Sequence, residues 1–316
     1  MTAGIECAHP VEQTLFAAAD YITRERFELR RCDACGLVRT HPVPADLDRF
    51  YPGGYYGAQE RYGKFATSLL ARVHSARAAK LTAINGGPGR VLDIGCGPGL
   101  LLDALRRRGW SAAGIERSAG AAAFARARLG LDVHVGDWRE SRFGAGEFDA
   151  VILWHVLEHL ASPADCLRWA VDRLKPDGVA LVGVPDFGSP EARWTGEKWF
   201  HLDVPRHLTH FTRETLDALV RRSGLEVAAR SGFAPEYDLF SFVQSTLNLA
   251  GLAPNALYNF LRRGDARMVA SIPAWDTFAS VVLSAPLVPA ALLATTLAGL
   301  RDAGATATLY CRKARV

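Results

Sequence analysis

Across 316 residues the excess of positive charge is small: 37 lysines and arginines against 33 acids, a net +4. The arginines are scattered rather than clustered, so the basic footprint of a nucleic-acid binder is missing and no such partner is expected. The opening MTAGIECAHP has neither a basic n-region nor an apolar h-region, so no secretory signal is expected and the chain is placed in the cytoplasm. Internal repeats and low-complexity tracts are absent. A composition of 49% apolar and 22% charged residues excludes a disordered chain. Cysteine is sparse and uneven: three of six fall in the first forty residues (Cys7, Cys32, Cys35). In a cytosolic protein that arrangement points to a metal rather than to a disulfide framework.

What is present is alternation. Residues 62–84 have helical spacing and stop at NGGPG. Strand-like RVLDIG is followed by the helical GLLLDALRRRG, then SAAGIE by AGAAAFARARLG. DVHVGD and the apolar FDAVILWHV continue the strands, PADCLRWAVDRLKPDG the helices, and VALVGVPD makes a fifth strand. RETLDALVRRSG, LEVAARSGF and a closing ATATLYCRKARV complete the series. This pattern predicts an α/β fold, a Rossmann-like, doubly wound and mostly parallel sheet. Residues 1–60 read as irregular and rich in turns, 61–235 as the core, 236–302 as an apolar helical insertion and 303–316 as the last core strand.

The first strand runs into VLDIGCGPG, with Gly95, Gly97 and Gly99 at alternate positions. Such a turn brings a ligand against bare backbone. Two ligands use it, a dinucleotide and S-adenosylmethionine. The spacing is not G-x-G-x-x-G. Asp93 before the turn is unfavourable beside a pyrophosphate and suits the ammonium end of an aminoacyl sulfonium. Glu116, ending the second strand, can accept from two ribose hydroxyls and would serve either ligand. In GDW, Asp137 can accept from an adenine amino group and Trp138 offers a ring face. The set reads as S-adenosylmethionine.

At these residues the chain resembles the class I S-adenosylmethionine-dependent methyltransferases. VLDIGCGPG matches their glycine motif, Glu116 the ribose acid, GDW the adenine motif, and DAVILWHVLEHL the strand that follows in small-molecule members. The resemblance covers about residues 85–235 plus the final strand. It implies methyl transfer, most readily at oxygen, to a small, apolar or lipid-like acceptor. Aligning nucleophile, methyl carbon and sulfur is then the main task, with a general base for a hydroxyl acceptor. Candidates are His155, His159, His201, His207 and His210. The segment WFHLDVPRHLTHF favours His207 as base, with His201 and Arg206 on the acceptor, and His155 as a further catalytic and cofactor contact. Competing readings are a nicotinamide-dependent oxidoreductase, which the missing Tyr-x-x-x-Lys pair opposes, and a non-catalytic module that docks to a membrane or partner.

RCDACGLV places Cys32 and Cys35 two residues apart before Gly36, a zinc-knuckle arrangement. ECAHP offers Cys7 and His9 as the other ligands, with His41 in reserve. Certain bacterial methyltransferases are similar, with such a knuckle followed by a stretch like THPVPADLDRFYPGGYYG. A structural zinc is expected to supply folding energy to a segment with little core.

Two stretches, 239–261 and 277–300, carry no charge and are long enough to cross a bilayer. Crossing is disfavoured by Gln244, Asn248, Asn255 and Asn259 in the first and by Pro286 and Pro289 breaking the second. A strand after them also belongs to the cytoplasmic sheet. The expectation is a helical pair that caps the site and makes peripheral membrane contact.

Overall fold

The computed structural model describes residues 12–51, 64–261 and 272–314. The N-terminal segment contributes β1 (Glu12–Ala19), β2 (Arg26–Cys32) and β3 (Val38–His41), and helix α1 (Lys64–Asn85) leads into the core. There follow β4 (Arg90–Ile94), α2 (Leu100–Arg106), β5 (Ser111–Glu116), α3 (Ala119–Leu129), β6 (Asp132–Val135), β7 (Phe148–Trp154), α4 (Pro163–Arg173) and β8 (Leu174–Pro185). Then come α5 (Pro190–Thr195), β9 (Thr209–His210), α6 (Arg213–Arg222), β10 (Leu225–Ser231), α7 (Pro235–Leu249), α8 (Ala256–Leu261), α9 (Ala274–Leu300) and β11 (Thr306–Lys313).

Seven strands form the main sheet in the order β10-β11-β8-β7-β4-β5-β6. β4 to β8 pair in parallel, while β11 runs antiparallel to both β8 and β10. Alternate side chains enter opposite layers, as period 2 requires. On β7, Val151 and Leu153 pack with α4 and α6, whereas Ala150 and Ile152 pack with α1, α2 and α3. A strand covered on both faces reads as a continuous apolar run, which is why AVIL stood out in the sequence. Truncating the fully buried Ile152 to alanine would cost about 2–5 kcal/mol. The helix expected over PADCLRWAVDRLKPDG ends early, at Arg173. Pro176 disfavours helical backbone at Lys175, and the chain is already in β8 from Leu174.

The N-terminal region departs further from expectation. Residues 12–41 are not irregular: they form an antiparallel sheet, β1-β2-β3, that continues onto β9. Phe27, Leu29, Val38 and Phe50 pack with Trp199, Leu202 and Val204, so this sheet buries its apolar face against the histidine-rich segment. Arg206 is fully enclosed at that junction. It donates to Asp20 Oδ1 at 2.6 Å, Asp203 Oδ1 at 2.7 Å and the Phe50 carbonyl at 3.0 Å, with its guanidinium 4.6 Å from the Tyr21 ring centre. A buried charge needs such partners. Arg206 is therefore a structural tie and not the acceptor contact expected of it.

In the insertion, the uncharged stretch 239–261 is not one span. α7 stops at Leu249, and a turn with Asn255 at φ +58° leads into α8. All four amides of that stretch are buried. Gln244 donates to Asn248, Asn248 to Asn255 and to the Lys198 carbonyl, and the Tyr258 backbone donates back to Gln244. The amides thus fasten α7 and α8 to the core. The second stretch stays helical through Pro286 and Pro289, against the expectation of a break. Buried positions on both sides of the prolines, Ala279 and Ser280 before and Ala291 and Thr295 after, hold it in place.

Candidate active site

The glycine turn sits at the carboxyl end of β4. Gly95, Gly97 and Gly99 have φ of +72°, +53° and +81°, the left-handed region that favours glycine. A Cβ on Gly95 would stand 2.5 Å from Val156 and one on Gly99 2.4 Å from Leu131, whereas Gly97 faces open space. Two of the glycines serve packing, and the third leaves backbone open to a ligand. Gly97 N–H donates to Glu116 Oε2 at 2.8 Å and Ser118 N–H to Oε1 at 2.7 Å. Each oxygen keeps a lone pair for another donor. Asp93 is buried with Oδ1 unpartnered, and burial, then the neighbouring Glu116 charge, raises its pKa well above the usual carboxylate range. Asp137 caps a short turn, accepting from Arg139 N–H at 2.9 Å. Trp138 does not offer the ring face expected of it. It is buried edge-to-face against Trp169, with the Arg139 guanidinium 4.1 Å over its ring.

One neighbour escaped the sequence reading. Arg77 of α1 is buried in an ion pair with Glu236 of α7 and lies 3.6 Å over the Trp154 ring, with Nη1 unpartnered. Its charge opposes the rise at Asp93 without reversing it. The available signal was a charge four residues before Leu81, on the buried stripe of α1.

Beyond β7 the histidines gather around a cavity of about 700 Å³. His155 has φ +54°, a conformation that costs a non-glycine residue energy and is found at functional sites. Its ring stacks on Tyr237 of α7 at 4.0 Å. Nδ1 lies 3.1 Å from Glu158 Oε1, while Nε2 is buried with no partner. Burial pushes the His155 imidazole down to about 3, and it raises the Glu158 carboxyl. Desolvation also lowers His201 to about 3 and His207 to about 4. The imidazoles are neutral at pH 7.

His207, the base favoured by sequence, gives Nδ1 to the His201 carbonyl at 2.8 Å, and His159 gives Nδ1 to the Arg206 carbonyl at 3.1 Å. Both keep Nε2 as the lone-pair atom. Ligand atoms of Glu158, His159 and His207 all lie within 4.8 Å of one another, so these three side chains can hold a cation. His210 is placed in β9, 2.9 Å from Thr40 Oγ1, and belongs to the sheet rather than the site.

At the N-terminal sheet, Cys32 ends β2 and Cys35 lies in the turn before β3. Gly36 has φ +75° and donates to the Cys32 carbonyl at 2.9 Å. Cys7 and His9 lie outside the described residues. His41 pairs with Glu28, four residues and about 13 Å along β2 from Cys32, which removes it as a reserve ligand.

Residues 62–230 match the model of a family described as a methyltransferase domain. The ubiquinone biosynthesis O-methyltransferase of Caulobacter vibrioides is 38% identical over 98 residues, 29% of this chain and 39% of that protein. The enzyme of the same name from Ruegeria pomeroyi is 34% identical over 159 residues, 46% of this chain and 62% of that protein. The chain therefore spans less than two thirds of these relatives. Among solved structures, the [4+2]-cyclase SpnF shares the fold, with 21% identity, a TM-score of 0.50, and 77% of this chain and 80% of that one covered.

Proposed function

This chain belongs to the methyltransferase-domain family, and from that premise we propose that it methylates a hydroxyl oxygen of a small, hydrophobic or lipid-like acceptor, using S-adenosylmethionine. The residues fit that cofactor: Gly97 leaves open backbone, Glu116 keeps free lone pairs, and the buried Asp93 Oδ1 lacks a donor. Arg77 Nη1 is suited to a carboxylate at the same end. When bound, S-adenosylmethionine supplies a methyl group already activated by the sulfonium.

The observation that carries the reading is His155: Nε2 unpartnered at the cavity, Nδ1 held by Glu158. We assign it as general base in preference to His207. Burial keeps the imidazole neutral, so the Nε2 lone pair is available to take the hydroxyl proton as the oxygen attacks. Glu158, facing Nδ1, steadies the imidazolium that results. The positive charge that His155 gains is the one lost at sulfur, so the buried site acquires no net charge. The apolar cavity wall of Phe240, Leu257 and Val288 suits a greasy acceptor and excludes water.

Incubation with methyl-labelled S-adenosylmethionine and extracted bacterial lipids tests the proposal. The wild type is expected to label a lipid-soluble product. His155→Ala should bind the cofactor normally by calorimetry yet turn over about 10²–10⁴ times more slowly. Full turnover in that variant would remove His155 as base, and no labelled product from any fraction would sink methyl transfer.

Two metal readings accompany this. The tight turn at Gly36 supports a structural zinc on Cys32 and Cys35, completed by Cys7 and His9. The Glu158, His159 and His207 cluster supports a second, exchangeable divalent cation beside the acceptor hydroxyl, where it would lower that group's pKa. Elemental analysis separates them: Cys32→Ser should lose the first ion and His207→Ala the second. The reading locates the chain in the cytoplasm, in peripheral contact with the membrane that holds its acceptor.

A further inference from the structure

α9 is amphipathic the wrong way round for a helix in water. It is 27 residues long, about 40 Å at 1.5 Å per residue, and is long and apolar enough to cross a membrane. The residues it buries are small or hydroxylated: Ala279, Ser280, Ala291 and Thr295. Those it turns outward are large: Trp275 is 69% exposed, Phe278 60%, Val282 51%, Leu293 63% and Leu300 80%. A contiguous apolar face of this extent marks a surface whose partner is not water.

Crossing is ruled out by connectivity. α9 packs on α7 and α8, which are fastened to the core through the buried amides, and it returns directly into β11 of the main sheet. Both ends stay on one side, so the helix can only lie flat. The sequence flanking it carries the charge an anionic headgroup layer attracts. The sequence between α8 and α9, RRGDARMVAS, holds three arginines and one acid, and the exposed Arg301 follows the other end. Trp275 and Phe278 at the first turns are the aromatic type enriched at membrane interfaces. The face is also continuous with the site. Val281, Ser284 and Val288 of α9 and Leu69, Leu70 and Val73 of α1 line the same cavity as His155 and Glu158.

We propose that α9 lies in the plane of an anionic lipid bilayer, its outer face among the acyl chains, and that the gap between α1 and α9 admits the acceptor laterally from the lipid. The acceptor is then an amphiphile, its hydroxyl-bearing head at His155 and its apolar tail leaving along Val281 and Val288. The lipid contact stands on the helix alone, whereas the route for the acceptor rests on the methyl-transfer reading.

Flotation of the full chain with vesicles tests the first half. Phosphatidylcholine vesicles containing phosphatidylglycerol should carry the protein upward at low salt, and pure phosphatidylcholine should carry less. Val282→Glu with Leu293→Glu should reduce vesicle partition about tenfold or more, since each places a charge in the apolar layer, while cofactor binding by calorimetry stays unchanged. Protein that remains at the bottom with anionic vesicles overturns the proposal, as does a double variant that floats like the wild type. A wild-type dimer that the double variant abolishes, with no flotation of either, would instead make the face an interface between copies. The second half is read by turnover: extracted bacterial lipids reconstituted in vesicles should be methylated at least tenfold more slowly by the double variant, and the same lipids dispersed in detergent equally by both. Flotation without any methyl product would leave the lipid contact standing and sink the functional reading alone.

Discussion

The proposed cofactor end and the proposed acceptor end of this site are assembled in different ways. At the first, Asp93, Glu116 and Asp137 lie within two residues of the carboxyl ends of β4, β5 and β6, three neighbouring parallel strands. At the second, His155 meets Tyr237 of the insertion, His201 of the segment before β9, and a cavity wall shared by α1 and α9. The first end is local: fix the sheet and the groups fall into place. The second depends on elements brought from up to about two hundred residues apart. Damage to one end should therefore leave the other intact, and variants can separate them.

The largest expected effect is on chemistry. Glu158→Gln removes the carboxylate behind His155 while keeping its shape, and should slow turnover about 10²–10⁴-fold with cofactor affinity unchanged. Parallel loss of affinity in calorimetry would show that the two ends are one unit. Next is the tie between the N-terminal sheet and the histidine segment. Arg206→Met leaves Asp20 and Asp203 facing no guanidinium in a buried junction, and should cost about 3–5 kcal/mol in denaturant unfolding. A loss below 1 kcal/mol would mean that the sheet does not depend on that pair.

A smaller effect separates the ends by pH. Glu191 of α5 accepts from Ser241 and Ser245 of α7 and from the Trp199 indole, and burial raises its carboxyl to about 7 from an ordinary 4.5. A folded value above the unfolded one gives stability that is full below about pH 4.5 and lost as pH rises through 7. The histidines act oppositely: His155, His201 and His210, lowered to about 3 by burial, contribute above 6.5 and lose that contribution as pH falls toward 3. Glu191→Gln should thus be about 2–3 kcal/mol more stable than the wild type at pH 8 and show no such gain at pH 4. Unfolding curves at the two pH values decide it. The smallest effect is at the cofactor end, where Glu116→Ala should weaken S-adenosylmethionine binding by about 1–3 kcal/mol without changing the unfolding midpoint of the acceptor-side elements. Unchanged affinity would remove Glu116 from the cofactor site.

The insertion shows why the acceptor end was the harder one to read. By composition 239–261 and 277–300 look alike, uncharged and apolar. In the fold, the first turns its amides inward to bond the core, and the second turns its leucines outward. The four amides mark the first stretch but not the way it faces, because an amide is satisfied only by a partner the tertiary structure supplies. Similarly, "RFELRRC" alternates Phe27 and Leu29 with polar residues and could have been read as a strand, but its sheet is completed through β3 by β9, about 170 residues away. The sequence favoured His207 as base from its place in WFHLDVPRHLTHF; the fold shows that both His155 and His207 have Nδ1 occupied, but of the two only His155 has Nδ1 facing a carboxylate and a buried Nε2 with no partner.

The sequence by itself determined the order of strands and helices in the core, the glycine turn, and the carboxylates at the strand ends. Those features follow from periodicity and from backbone demands that act within a few residues. Only the tertiary structure decided that residues 12–41 join a sheet with the histidine segment, that Arg206 is a buried tie, that Arg77 and Tyr237 reach the site, and that α9 faces outward. Each of these is settled by which surface a side chain meets across the fold, and burial and hydrogen-bond satisfaction are set by that partner.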